Sequence, residues 1–452
     1  MDSIRFLGAA GTVTGSSYVL KKENTPGILV DLGMFQGPPE IDDLNRAQLK
    51  LVPQDIEAVV LTHAHLDHCG RLPLLSKMGF TGKIYMTAAT RALYEITLLD
   101  AAHIAQNNED REPLYTERDV RYLFDLAEIV EYGSSFTIGD YFLELFDAGH
   151  ILGSASVKIE NVALGNKSGV VVFSGDLGNS PEELLHATET IPKADVVIME
   201  STYGDRIHPN EDTTAMLQNE INIIEKTGAS LLIPAFSIER SQELLHKIDH
   251  LKKQKLVKDS TPVFLDSPMA IKTTEVYKQF KELYSPELSD HTKTDDPFDF
   301  PGLKLVEKVD QSKKISATYG PKVIIAGSGM MSGGRIMYHA LEYLPYRTTR
   351  LFIVGYQGEG TLGREILDGG RIVTIMDRKI QVNATVTHAS GMSAHADQSK
   401  LLSWFNKIAD VKKLILTHGE DTSRTVLKEK VNEKNPSLEV YMPHMNETIS
   451  LI

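Results

Sequence analysis

Six residues, His63 to His68, constrain this chain more than any other stretch of it. They read His-Ala-His-Leu-Asp-His, three imidazoles and a carboxylate. They follow directly on Ile56-Glu57-Ala58-Val59-Val60-Leu61-Thr62, an apolar run that predicts a buried strand. A strand that ends in such a loop presents the polar groups at a sheet edge. His63 and His65 are two residues apart and project to the same side of an extended backbone, which suits one metal ion. Asp67 and His68 lie past the bend, where Arg71-Leu72-Pro73-Leu74-Leu75 predicts the first turn of a helix, and they suit a second ion. Neutral imidazole with carboxylate is a zinc-type ligand set, and two ions about 3.5–4 Å apart are the usual apparatus of phosphate-ester hydrolysis. Cys69 stands beside His68 but reads as a small buried residue. It is the single cysteine, so no intramolecular disulfide forms, in agreement with a reducing compartment.

The same device recurs along the chain. Gly27-Ile28-Leu29-Val30 ends on Asp31, Tyr141–Phe146 leads to His150, Ser168–Ser174 closes on Asp176, and Asp195–Met199 closes on Glu200. With His63 these make five predicted strands that deliver a metal-competent group to one sheet edge, which is how a dinuclear site is built. Thr90–Ile104 and Glu117–Leu126 carry apolar residues at three-to-four spacing and predict covering helices. After Tyr203 strands alternate with helices: Leu231–Phe236, helix Ser241–Lys252, Val263–Leu265, Lys322–Ala326 and Arg350–Val354, the rhythm of a parallel sheet. Ser285–Pro301, rich in aspartate and proline, predicts an exposed loop. The first style then returns, with His395, a helix at Ser399–Asn406, and the strand Lys413–Thr417 ending on His418.

At 452 residues the chain is too long for one compact core and fits two domains. No apolar run reaches the roughly 20 residues of a membrane span, and the residues after the start lack a basic patch followed by an apolar core, so a cytoplasmic protein without membrane attachment is expected. A net charge of −14 argues against a nucleic-acid partner until its distribution is considered. Residues 206–384 hold 24 basic and 23 acidic side chains, a net of +1, which leaves −15 for the remainder. The acidic surface belongs to the flanks.

With these residues in place, the chain resembles the metallo-β-lactamase superfamily and, within it, the β-CASP nucleases, especially the branch containing the endonuclease subunit of the cleavage and polyadenylation machinery and its prokaryotic relatives. His63-x-His65-x-Asp67-His68 with His150 and Asp176 matches the motifs of the superfamily. Glu200, His395 in Ser393-Ala394-His395-Ala396-Asp397, and Thr417-His418-Gly419 match those of the nucleases. The resemblance implies an α/β fold, a metallo-β-lactamase αββα sandwich formed by residues 1–205 and 385–452. An inserted parallel-sheet α/β domain, residues 206–384, would roof a cleft with metals at its bottom.

The resemblance further implies one zinc on His63, His65 and His150, a second on Asp67, His68 and His418, and Asp176 bridging both. Asp31 would be the carboxylate that holds a ligand histidine in its tautomer. His395 falls outside both ligand sets and is the candidate general acid, with Glu200 to orient it. The implied reaction is hydrolysis of single-stranded RNA by a two-metal-activated hydroxide, leaving 5′-phosphate and 3′-hydroxyl ends. On the insert, Arg240, Arg335 and the loop Gly327–Arg335, with Ser328, Gly329 and Ser332, are candidates to meet phosphates. A homodimer is compatible with this reading. Two rivals remain: a thioester or lactone hydrolase, which leaves the insert and His395 without a role, and a non-catalytic RNA-processing scaffold, which would have lost ligands.

Overall fold

The computed structural model describes residues 2–108, 111–164, 167–179 and 184–451, and the chain divides into two units. One runs to Ile207 and resumes at His395; the other is His208–Ala394.

Among the described residues the first unit contains two seven-stranded sheets. One runs Thr448–Ser450, Asp2–Phe6, Tyr18–Lys22, Gly27–Val30, Ile56–Val60, Lys83–Met86, Ala127–Ile129; the other runs Glu439–Tyr441, Lys413–Thr417, Val196–Glu200, Lys167–Phe173, Ala155–Leu164, Tyr141–Asp147, Phe136–Ile138. Successive side chains of a strand face opposite ways, and Gly27–Val30, Val196–Glu200 and Lys413–Thr417 are buried on both faces. Val196 and Ile198 join Ile4, Phe6, Val30 and Val60 in the core between the sheets. Val197 and Met199, one residue out of phase, pack instead with Leu401, Trp404, Phe405, Leu427 and Val431 of the helices Gln398–Phe405 and Asp421–Lys434. A helix layer on the outside and a core between the sheets is the expected sandwich.

Parallel pairing decides where polar groups emerge. Gly27–Val30 pairs parallel with Ile56–Val60 in one sheet, and Lys167–Phe173, Val196–Glu200 and Lys413–Thr417 are parallel neighbours in the other, so the polar groups emerge from the edges of two sheets and not from the single edge expected. A second expectation needs correction here. Helix formation begins at Leu66, not Arg71: the short helix Leu66–Cys69 holds Asp67 and His68, and Pro73 opens a separate turn, Pro73–Lys77. Cys69 is buried at the end of that first turn, its Sγ 3.5 Å from the Ala64 carbonyl.

The second unit carries an all-parallel six-stranded sheet, Leu303–Leu305, Val263–Asp266, Lys322–Ala326, Ser230–Pro234, Arg350–Val354 and Thr385–Ala389. Thr385–Ala389 adds to its edge, and for that reason the unit extends to Ala394 and not 384. The segment Ser285–Pro301 is no exposed loop. It contains the helix Pro286–His291 and anchors itself through Leu288, Phe298 and Phe300, exposed by 0%, 2% and 6%.

Candidate metal centre

The first unit brings every expected ligand to one place. His63 Nε2 lies 3.1 Å from His65 Nδ1, which lies 3.2 Å from His150 Nε2. Beside them His68 Nε2 is 3.2 Å from His418 Nε2, which is 3.4 Å from Asp67 Oδ2. Asp176 spans both sets. Its Oδ2 stands 3.4, 3.3 and 3.6 Å from His63, His68 and His150, while Oδ1 stands 3.5 Å from His418.

Each inward ring nitrogen has a single proton or lone pair to share, yet His63 Nε2 and His68 Nε2 each meet another ring and Asp176 at once, more than hydrogen bonds alone can satisfy. Donor atoms about 2.0–2.2 Å from a shared cation stand roughly 3–3.6 Å apart, the spacing seen here. Asp176 Oδ1 is buried with no hydrogen-bond partner among the described residues, as a carboxylate oxygen meant for a cation would be. The residues fit a divalent metal pair.

Outer contacts fix which nitrogen faces inward. His68 Nδ1–H donates to Asp31 Oδ2 at 2.8 Å, so Nε2 is left for the metal. Asp31 is itself held by the Thr62 amide and hydroxyl, both at 2.8 Å. Thr202 Oγ1 stands 3.0 Å from His418 Nδ1 and sets that ring likewise. Asp31 and His418 both have positive φ, 58° and 48°, conformations that cost energy away from glycine and that turn the side chain off the strand direction. Gly178 allows the loops to close. A Cβ there would lie 1.7 Å from the Gly149 carbonyl oxygen, next to His150.

The electrostatics agree. Burial pushes the Asp176 carboxyl up, but His418, His68 and His63 outweigh it and hold it well below the usual carboxylate range. Burial pushes His63 down, and brings His65 to about 4, leaving both lone pairs available at neutral pH. His68 goes the other way despite burial, because Asp176 and Asp31 flank it.

His395 stands apart from the ligand sets. Its Nδ1 is 3.2 Å from Glu200 Oε1, and its Nε2 faces Asp176 Oδ2 at 4.0 Å. Glu200 is fixed in turn by the amides of Leu177 at 2.7 Å and Thr202 at 3.3 Å. Burial opposes a charge on His395, yet Glu200 outweighs it and pushes the ring up to about 9 in the metal-free protein.

The arginines expected to meet phosphates are otherwise engaged. Arg240 is 3% exposed and pairs with Glu243 of its own helix. Arg335 Nη1 binds Asp266 Oδ1 at 2.6 Å and the Val306 carbonyl at 2.9 Å, and its Nη2 donates to the Glu307 carbonyl. Arg240 is buried against a carboxylate of its own helix, as a buried cation requires, and the half-buried Arg335 spends its guanidinium on Asp266 and two carbonyls. In the loop, Ser332 is exposed, and its amide is already used by the Ser328 hydroxyl at 3.0 Å. Gly329 accepts from Gln357 Nε2 at 2.9 Å. Sequence reading passed over Thr62 and Thr202; the available signal was a hydroxyl one or two residues from a strand-end ionisable group.

Family models match three stretches of the chain: the metallo-β-lactamase superfamily over residues 10–152, the Beta-Casp domain over 241–366, and the Zn-dependent metallo-hydrolase RNA specificity domain over 379–443. The chain is 38% identical over 419 residues to a ribonuclease of Thermus thermophilus, covering 92% of each. It is 30% identical to the transcription termination factor FttA of Methanocaldococcus jannaschii, covering 93% of this chain and 67% of that one. It is also 30% identical to the cleavage and polyadenylation specificity factor 73 of Drosophila melanogaster, covering 94% and 61%. A solved structure, a protein of unknown function from Enterococcus faecalis V583, matches over 99% of both chains with a TM-score of 0.55 at 13% identity.

Proposed function

We propose a function from one premise: this chain belongs to the β-CASP family of the metallo-β-lactamase superfamily. On that premise it is a metal-dependent hydrolase of RNA, cutting phosphodiester bonds of single strands to leave 5′-phosphate and 3′-hydroxyl ends. The observation that carries this reading is the completeness of the centre. Seven ligands converge and His395 stands beside them, 4.0 Å from the shared carboxylate, outside both sets.

His63, His65 and His150 would hold one zinc, Asp67, His68 and His418 a second, with Asp176 between them. When bound, the pair supplies a nucleophile at neutral pH and offsets charge on the phosphoryl oxygens. The protein's own groups do the rest. Asp31 and Thr202 engage the outer Nδ1 of His68 and His418, so that Nε2 of each ring faces the metal locus. Glu200 accepts from His395 Nδ1, which turns Nε2–H toward the metal locus, where it can protonate the leaving 3′-oxygen. A thioester or lactone hydrolase has no need of this arrangement, and a scaffold would not keep every ligand.

Metal analysis together with mapping of products from a 5′-labelled single-stranded RNA tests the reading. Close to two zinc ions per chain in the seven-ligand centre and 5′-phosphate products are expected. Products ending in 3′-phosphate would overturn it, because they require the 5′-oxygen to leave in place of the 3′-oxygen that His395 is placed to protonate.

A further inference from the structure

We infer that the second unit carries a metal site of its own, a clamp for a divalent ion of the zinc class made by His246, His250 and His291. His246 and His250 are one turn apart on the helix Arg240–Lys253, so their rings share a face. His291 closes the helix Pro286–His291 and reaches the same point from another segment. Its Nδ1 lies 2.9 Å from His250 Nε2 and 3.2 Å from His246 Nε2.

Two nitrogens aimed at one ring nitrogen is a poor hydrogen-bond arrangement, because that nitrogen has either one lone pair or one proton to share. A cation resolves the conflict: imidazole ligands about 2.0–2.1 Å from one ion and near a right angle apart stand about 3 Å from each other. The outer side of His291 is arranged as a metal-bound imidazole requires. Its Nε2 is 3.2 Å from Oδ2 of Asp249, a carboxylate 1% exposed, which can accept the proton and leave Nδ1 free to ligate. His246 is buried, at 2% exposure. An open cavity of about 450 Å³, bordered by His250, Lys253 and His291, gives an ion a way in.

Lys253 defines the rival arrangement. Its Nζ lies 2.6 Å from His291 Nε2, and also 2.8 Å from Asp249 and 3.0 Å from Asp295. If the ammonium donates to Nε2, the three rings form a proton-linked chain and need no cation. If the two carboxylates hold the ammonium, His291 can donate to Asp249 and the clamp is formed.

The difference in metal content between variants decides between them, and it does so however many ions the first unit holds. Full-length protein is stripped with a chelator and dialysed against Zn²⁺ alone. Wild type is expected to retain one ion per chain more than His250→Gln or His291→Gln, and both variants are expected to cleave RNA as wild type does. Asp249→Asn is expected to weaken that ion by about 10–100-fold without abolishing it. Equal metal content in wild type and both histidine variants overturns the proposal. Titration of the stripped wild type with Co²⁺ reads the same site without any substitution: a saturable absorption band beyond those of the first unit's centre is expected, and its absence overturns the proposal even where a variant fails to fold.

Discussion

Asp176 in the first unit and Asp266 in the second stand at or just beyond the end of a buried strand, at 1% and 0% exposure, and they meet opposite surroundings. Asp266 is enclosed by donors: Arg335 at 2.6 Å, His339 Nε2 at 2.7 Å and the Ser312 hydroxyl. Its lone pairs are taken, and the group is finished as a structural pair. Asp176 is enclosed mainly by imidazole nitrogens with lone pairs of their own, and its Oδ1 has no hydrogen-bond partner among the described residues. That arrangement suits cations. A strand-end carboxylate therefore marks a site according to what its neighbours leave unsatisfied, and position alone does not distinguish the two.

The largest break in this comparison is Asp176→Ala. Removal of the shared carboxylate takes a ligand from both ions at once, so metal content is expected to fall toward zero in the first unit's centre. Cleavage is expected to drop by about 10⁴-fold or more, the scale of the several kcal/mol that metal ions supply to such transition states. Metal analysis beside a cleavage assay checks it; full metal content in this variant would show that Asp176 is no ligand.

His395→Ala separates proton delivery from ligation. With Nδ1 on Glu200 and Nε2 turned to the centre, its loss is expected to reduce cleavage by about 10²–10⁴-fold while both ions stay bound. An ion lost along with the activity would assign His395 to the ligands instead.

These two residues also show how far the sequence could be read. Asp31, His63, His150, Asp176 and Glu200 stood out because each follows an apolar run that announces a strand, whereas the division of ligands into two sets, and the place of His418 in them, came from the family resemblance alone. Arg240 and Arg335 misled for the complementary reason. A basic residue in a glycine-rich or loop-flanking stretch reads as exposed, and nothing local announces a partner 69 residues away such as Asp266 is for Arg335. The 285–301 segment misled through composition: its aspartates and prolines hid Leu288, Phe298 and Phe300, which carry its packing. Thr62 and Thr202 were hidden because a hydroxyl gains its meaning only from the ring it faces.

Asp31→Asn probes the first unit more gently. The amide can still occupy the site but holds the His68 Nδ1 proton less strongly, so metal affinity is expected to fall by about 10–100-fold with the fold intact. Competition against a calibrated chelator measures this. Unchanged affinity would mean that Thr62 alone sets the ring.

The smallest effect tests the finished pair. Arg335→Ala removes a charged partner from the inaccessible Asp266 carboxylate but leaves His339 and Ser312 in place, so a loss of about 1–3 kcal/mol of stability is expected, below that of an unpaired buried charge. Metal content and cleavage should stay near wild type. Burial pushes Asp266 up, but His339, Ser312 and Arg335 outweigh it and hold its carboxyl below the ordinary value. A group lowered in the folded state contributes stability that is fully present above its unfolded pKa, near 4, and that is lost as pH falls through the folded value. The penalty of Arg335→Ala should accordingly be full at neutral pH and shrink in acid. Asp266→Asn introduced beside it should recover part of the loss, since no buried charge is then left short of a partner. Thermal denaturation of wild type, the single variant and the double variant across pH reads both effects. If Arg335→Ala instead left stability unchanged and weakened RNA binding, Asp266 would not be a closed pair, and the second unit would present its cation as the sequence first implied.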